Sequence, residues 1–352
     1  MPLTKLFCPK HRLGRSQAAV LRVCIGLCLA SLLTACDSPP RRLPYIPPEL
    51  ANWPQPYRGV PGLAAHIFVT GHIEVPEGLV TKGGAMTRTR QLPVQVLVIQ
   101  HPREGVLLVD AGISQDDPQE TIWPVRLPLV DAAATRVSFA EALPDQLRRA
   151  GIRPEAVRWV VLTNARALRL GFLHAFAQAR IVLTRAEYEY AQRQEALSGF
   201  LGAAAKPARW HWIDFTEERG CGTFPASVDL LGDGSVVLLE GRGPTPGSLA
   251  VLVRLPKQPL LWAGDIVPTA TVLRTASEPR GLWNADEWWL RYWRIKRFHD
   301  LAEELVVVPA FDAPVRLREG TPLRMHALPS PEAATPSRPT PPPWQRFIPH
   351  PW

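Results

Sequence analysis

Short apolar runs rich in Val, Ile and Leu recur through the middle of this chain, and they limit its fold more than any other feature. Ala65–Thr70, Pro93–Gln100, Gly105–Asp110, Arg158–Thr163, Arg180–Leu183, Ser235–Leu239, Leu249–Leu255, Leu260–Ala263 and Leu305–Val308 each read as a strand. The second and third are separated by a turn, His101–Glu104. Arg158–Thr163 (RWVVLT) is almost wholly apolar, the mark of a buried strand. Helical signals lie between the runs. Ser138–Ala150 opens with Ser138 and Glu141 as a capping box and carries Pro144 as a break point. Thr184 and Glu187 cap another helix, and Asn284 is the N-cap of a long one, Asn284–Glu304. Strands grouped at both ends with helices interleaved predict a layered α/β (α+β) sandwich, its helices outside.

The runs stop at both ends of the chain. Residues 36–61, in which 37–61 read DSPPRRLPYIPPELANWPQPYRGVP, are Pro-rich without apolar periodicity and predict an extended tether. Residues 328–352 predict a disordered Pro-rich tail, with Trp344, Phe347 and Trp352 as candidate contacts for a partner. The folded region is then 62–327, and it holds no internal repeat.

Residues 1–35 carry a targeting signal. Lys5, Lys10, Arg12, Arg15 and Arg22 precede an apolar run from Val23 to Leu33, too short for a comfortable membrane span. Leu33-Thr34-Ala35-Cys36 resembles the bacterial lipobox, which implies that Cys36 becomes the lipidated first residue of the mature chain. The expected location is a lipid anchor in the cell membrane on the periplasmic side. Asp37 favours the inner membrane by the same resemblance, with the outer membrane as the other destination. The bilayer is thus an expected partner.

The signal also explains the net charge of +8. It contains five basic residues and no acidic one, and without it 35 basic residues face 32 acidic. That balance gives no reason to expect nucleic-acid binding. Beyond the signal, Cys221 is the one cysteine besides Cys36, so no internal disulfide is expected, and no catalytic motif surrounds it.

Several segments resemble, in order, the metallo-β-lactamase-fold hydrolases, particularly their acyl-homoserine-lactonase-like branch. PVQVLVIQHPREGVLLVDAGIS is similar to the family's opening hairpin. AGIRPEAVRWVVLTNARALRLGFLHAFAQARIVLTRAEYEYA is similar to the segment holding its first metal motif. LLGDGSVVLLEGRGPTPGSLAVLVRLPKQPLLWAGDIV and VVVPAFDAP are similar to the later ligand regions. The resemblance covers residues 64–316 and implies an αββα sandwich.

The same resemblance implies two zinc or iron ions, held by an H-x-H-x-D-H motif, two later His and a bridging Asp, which activate a water. The residues at those places differ. Asn164, Arg166 and Arg169 stand where the motif has His, and Leu168 where it has Asp. Pro244 and Phe311 replace the later His residues; Asp265 alone matches. Pro268 stands where the lactonase branch has a Tyr. Leu, Pro and Phe side chains have no donor atom, and Arg stays protonated. His66, His72, His101, His174, His211, His299 and His326 form no alternative H-x-H or H-x-x-x-H pairing. No cofactor is therefore expected.

Two readings of the altered place follow. Arg166 or Arg169 plugs it as a salt bridge to Asp265, or the added positive charge binds an anionic small molecule. Trp288, Trp289, Tyr292 and Trp293 in the last long helix read either as core or as a surface for a ligand or protein partner. The sequence contains no G-x-S-x-G, P-loop or dinucleotide fingerprint. The expected function is a membrane-anchored, non-catalytic binding or scaffold protein. The alternative is a lactonase- or esterase-like hydrolase with an altered or metal-independent site, with Asp265 or Asp312 as general base.

Overall fold

The computed structural model describes residues 41–46, 49–115, 136–198, 209–215 and 219–326. The expected signal at residues 1–35, Cys36 and the expected tail 328–352 lie outside the described residues. The architecture below belongs to the compact unit that begins at Tyr45.

The first sheet contains β1 (Ala64–Pro76), β2 (Thr89–His101), β3 (Gly105–Val109), β4 (Arg136–Phe139), β5 (Val157–Val161), β6 (Arg180–Thr184), β7 (Arg209–Ile213) and β13 (Leu323–His326). Its order among the described residues is β13-β1-β2-β3-β5-β6-β7, with β4 paired to the second half of β1. The second sheet contains β8 (Ser227–Asp229), β9 (Val236–Glu240), β10 (Leu249–Val253), β11 (Leu260–Trp262) and β12 (Val306–Val308), in the order β12-β11-β10-β9-β8. Strands β3, β5, β6 and β7 run parallel to one another.

Alternation along the strands builds the layers. Ile67, Leu97, Leu107, Val109 and Val161 on the first sheet meet Val236, Leu238, Val251, Val253, Trp262 and Val308 on the second, all buried between them. The opposite face of the first sheet is covered by α2 (Leu143–Arg149) and by the turns carrying Phe172, Leu173 and Phe176. The opposite face of the second sheet is covered by α4 (Ala270–Thr275) and α5 (Ala285–Leu301). Two sheets inside and helices outside make the expected αββα sandwich. The short helix α1 (Glu77–Val80) and α3 (Arg185–Ser198) complete the helical elements.

Three expectations change. Residues 138–150 do not form one helix: Arg136–Phe139 is strand β4, and α2 begins at Leu143 with Ala142 as N-cap and Pro144 in its first turn, where a missing N–H costs nothing. Ser138 is committed to pairing with His72, so it is not free to cap. The expected tether is too long. Ala51 pairs with Gly222, Trp53 is buried edge-on against Phe298 at 4.8 Å, and Tyr57 Oη donates to the Leu255 carbonyl. Apolar burial of two aromatics fixes a Pro-rich segment that has no secondary structure of its own. Finally, β4, β7, β8 and β13 carry too little apolar periodicity to be read as strands in advance.

Candidate functional site

The ends of β5 and β11 and the loops after β3, β9 and β12 meet at one edge of the sandwich, and the residues singled out from the sequence converge there. Asp265, on a short turn directly after β11, is the centre. Asn164 Nδ2 donates to Asp265 Oδ2 at 3.1 Å. Arg166 Nη1 donates to the same oxygen at 3.1 Å, and its Nη2 donates to the carbonyls of Pro244 at 2.8 Å and Gly281 at 2.6 Å. Arg169 Nη2 donates to Asp265 Oδ1. Phe311 lies under the Arg169 guanidinium, with its ring centroid 5.0 Å from Cζ. Leu168 is buried in the same apolar cluster as Phe311.

A second carboxylate, missed from the sequence, completes the arrangement. Asp110 follows β3 in the left-handed region (φ 63°) and is fully buried. It accepts from the Thr163 amide at 2.8 Å, the Thr163 hydroxyl at 2.9 Å and Trp262 Nε1 at 3.3 Å. Arg169 Nε lies 3.6 Å from its Oδ2. The string Asp110–Arg169–Asp265–Arg166 therefore alternates charge, two carboxylates against two guanidinium groups. The only advance signal for Asp110 was its place at the end of an apolar strand, where a charged residue is expensive unless paired.

The two carboxylates differ because their partners differ. Burial alone raises the Asp265 carboxyl, but Arg169 and Arg166 outweigh it and hold the group below its usual range. Burial pushes Asp110 up, and the single, more distant Arg169 and the Thr163 hydrogen bonds do not reverse it. Arg169 is itself fully buried; burial lowers it, but Asp265 and Asp110 more than restore its charge.

Glu187 on α3 is the other residue that sequence reading under-used. It was expected as a cap, and its own amide does donate to Thr184 Oγ1 at 3.1 Å. Its carboxylate, however, is fully buried and accepts from Ala165 N at 2.9 Å and Gly247 N at 3.0 Å. It thus ties the 164–169 loop to the 243–248 loop. Burial pushes its carboxyl up despite these bonds. Gly247 allows the approach: a Cβ there would stand 2.1 Å from Thr184 Oγ1.

Arg166, Leu168, Pro244, Asp265 and Phe311 line one small cavity with Val80, Pro268 and Leu282. Its volume is about 30 Å³, room for about one water. His174 is exposed on the turn 173–176 and takes no part. Asp312 Oδ2 accepts from the Ala270 amide and acts as the cap of α4's approach, not as a free base. Cys221 is buried, and burial pushes its thiol up. Trp288 and Tyr292 are core, and Trp289 and Trp293 are half-buried and pack against the same cluster.

The donor set does not fit a pair of divalent ions. Among the described residues no three His, Cys, Asp or Glu side chains cluster to hold a metal. The two carboxylates that could contribute are bridged by Arg169, a permanent cation.

A profile of the metallo-β-lactamase superfamily matches residues 89–317. Two N-acyl homoserine lactonases called AttM, from Rhizobium radiobacter and Rhizobium johnstonii, are each 27% identical over 194 and 195 residues. Those alignments cover 51% of this chain and 66% of each relative, just under two thirds of their length. Among solved structures, a B. thuringiensis AiiA variant with N-decanoyl-L-homoserine bound superposes with a TM-score of 0.59 at 16% identity, covering 71% of this chain and 93% of that one. AidC, described as a dizinc quorum-quenching lactonase, superposes at 0.52 and 13%, covering 74% of this chain and 92% of that one. These likenesses show a shared fold. With the profile match spanning well over half of its length, the chain belongs to the metallo-β-lactamase superfamily.

Proposed function

We propose that this chain is a non-catalytic, membrane-anchored binding or scaffold protein in which an ion-paired polar core has replaced the family's binuclear metal centre. The observation that carries the reading is Arg169, fully buried between Asp110 and Asp265. A guanidinium there supplies the positive charge that two carboxylates need and leaves no vacancy for an ion. Asn164 and Arg166 saturate the remaining face of Asp265, so the carboxylate that would bridge metals is occupied on both oxygens. The cavity beside it, lined by Pro244, Pro268, Leu168 and Phe311 among others, is small, about 30 Å³.

The relatives favour a second reading, a lactonase- or esterase-like hydrolase with an altered site. Their name, N-acyl homoserine lactonase, supports hydrolysis more directly than it supports a scaffold. A general base is what this reading requires. Asp265 is held ionised by two guanidinium groups and is a weak base for that reason, and Asp312 is engaged at a helix start.

One experiment separates the readings. The full chain, purified in detergent, is assayed for bound zinc and iron and for opening of N-acyl homoserine lactones. Less than about 0.1 metal per chain and no lactone opening above buffer supports the binding protein. Two metals per chain, or turnover abolished by Asp265→Asn, refutes it and establishes the hydrolase.

A further inference from the structure

A cavity of about 310 Å³ opens between the loop that joins β1 to β2 and the residues at the two ends of α4. That volume is at the lower end of the range for small-molecule sites, roughly 300–1,000 Å³. Val80 is the one apolar side chain among the described residues that line it; the rest present charge, hydroxyls and glycine backbone. Such a lining suits a compact hydrophilic ligand and gives an acyl chain nothing to bury against. The ion pairs set the sign of the charge. Arg88 and Arg90 both line the cavity, and both reach one carboxylate, Glu77: Arg88 Nη1 lies 3.5 Å from it and Arg90 Nε 3.4 Å. One carboxylate against two guanidinium groups leaves a positive charge unmatched. Lys82 is matched by Glu278. Arg280 borders the smaller cavity beside Asp265, which shares Val80 with the larger one. Its Nε donates to the Gly78 carbonyl at 2.8 Å, and it has no ion pair among the described residues.

Backbone bonds fix the frame that carries these groups. The Glu77 amide donates to the Arg88 carbonyl at 2.8 Å and the Gly78 amide to Ala85 at 3.2 Å, which folds the loop back on α1. The Lys82 amide donates to the Glu278 carbonyl at 2.8 Å and the Arg280 amide to Val80 at 2.9 Å, which ties the two walls together. Gly84 permits the fold-back: a Cβ there would stand 2.5 Å from the Glu77 carbonyl oxygen. Walls held in this way spare a ligand the cost of ordering them. On the α4 side, Thr271 Oγ1 accepts from Arg274 Nη2 at 3.3 Å and keeps its own O–H to donate. Guanidinium forks beside a hydroxyl complement the several acceptor oxygens of a phosphate. The pairing of Glu77 with exposed Arg88 is weak, so an anion displaces it at little cost.

We propose that this cavity binds the phosphate group of a small hydrophilic molecule, held by Arg88, Arg90 and the Thr271 hydroxyl. The proposal rests on the reading of the chain as a binding protein and supplies the class of its ligand. The full chain, purified in detergent and first assayed for zinc and iron, is titrated calorimetrically with inorganic pyrophosphate and, separately, with citrate as a carboxylate anion. The expected result is saturable binding of pyrophosphate at one site, at least about tenfold tighter than citrate. Arg88→Gln and Arg90→Gln should each weaken it about tenfold or more, and the double variant should abolish it. Arg148→Gln, exposed on α2 beside Asp145, should leave it unchanged. An unchanged thermal midpoint shows that each variant is folded, as expected of substitutions on an exposed loop and at a strand end. No pyrophosphate binding up to about 10 mM, citrate bound equally well, or binding unmoved by both Arg variants overturns the proposal. A metal-free chain that fails to bind pyrophosphate removes only this site and leaves the binding-protein reading standing. Two metals per chain overturn that reading, and the proposal with it, whatever the titration shows.

Discussion

Replacing Arg169 by Met tests whether the polar core acts as a unit. Methionine retains an unbranched, apolar stem in a site that is fully buried. The change removes the ion pair to Asp265, the weaker one to Asp110 at 3.6 Å and the guanidinium over Phe311. Breaking a buried pair typically costs about 3–5 kcal/mol. Here Asp265 keeps Arg166 and Asn164, each at 3.1 Å, so the lower end, about 3 kcal/mol, applies. Asp265→Asn leaves two buried guanidinium groups facing Asp110 alone and should cost about 3–4 kcal/mol. In the double variant the inner pair is removed as a unit, although Asp110 and Arg166 still lose their partners, so its cost should fall about 1–2 kcal/mol short of the sum. The assay is urea unfolding of the four proteins, followed by tryptophan fluorescence; a 3 kcal/mol loss corresponds to a Tm drop of about 6–12 °C. Additive single effects, or an Arg169→Met cost under about 1 kcal/mol, would refute the argument that the pair replaces a metal's cohesive role.

Three further outcomes follow from the same structure. Glu187→Gln should cost about 2 kcal/mol, because one new N–H faces the amides of Ala165 or Gly247; hydrogen exchange at those two amides should accelerate most. Trp53→Ala should cost about 3–5 kcal/mol and open residues 49–57 to limited proteolysis, since Trp53 is what fastens that segment to Phe298. His299 is buried, and burial, with Arg316 next, lowers its pKa to about 4 from 6.5. The unfolded chain therefore binds more protons between those values, and stability falls as pH drops from 6.5 toward 4. Unfolding measured across that window should show a flatter slope in His299→Phe, with His66, His72 and His326, which are also lowered by burial, contributing to the remainder.

Much of this protein was legible in its sequence. The β-branched runs specified two sheets because a strand that is apolar at neighbouring positions can rest only in a covered layer. That Asn164, Arg166, Leu168, Arg169, Pro244 and Phe311 carry neither an imidazole nor a carboxylate was legible too, since coordination depends on donor atoms that are either present in a side chain or not. What the tertiary structure alone decided is how these residues satisfy one another. Asp110 is 53 residues from Thr163 and 152 from Trp262, so nothing local marks it as Arg169's second partner. Glu187 looked like a capping partner, and its amide does donate to the cap, Thr184 Oγ1; only the packing of two distant loops against α3 turned its carboxylate inward. Trp53 sits in a Pro-rich stretch with no periodicity, and it becomes ordered because Phe298 and Glu304, more than 240 residues away, offer it a partner for its ring and its N–H. Local pattern sets which segments form strands and helices. The pairing of buried charges depends on distances between chain segments that local pattern does not encode.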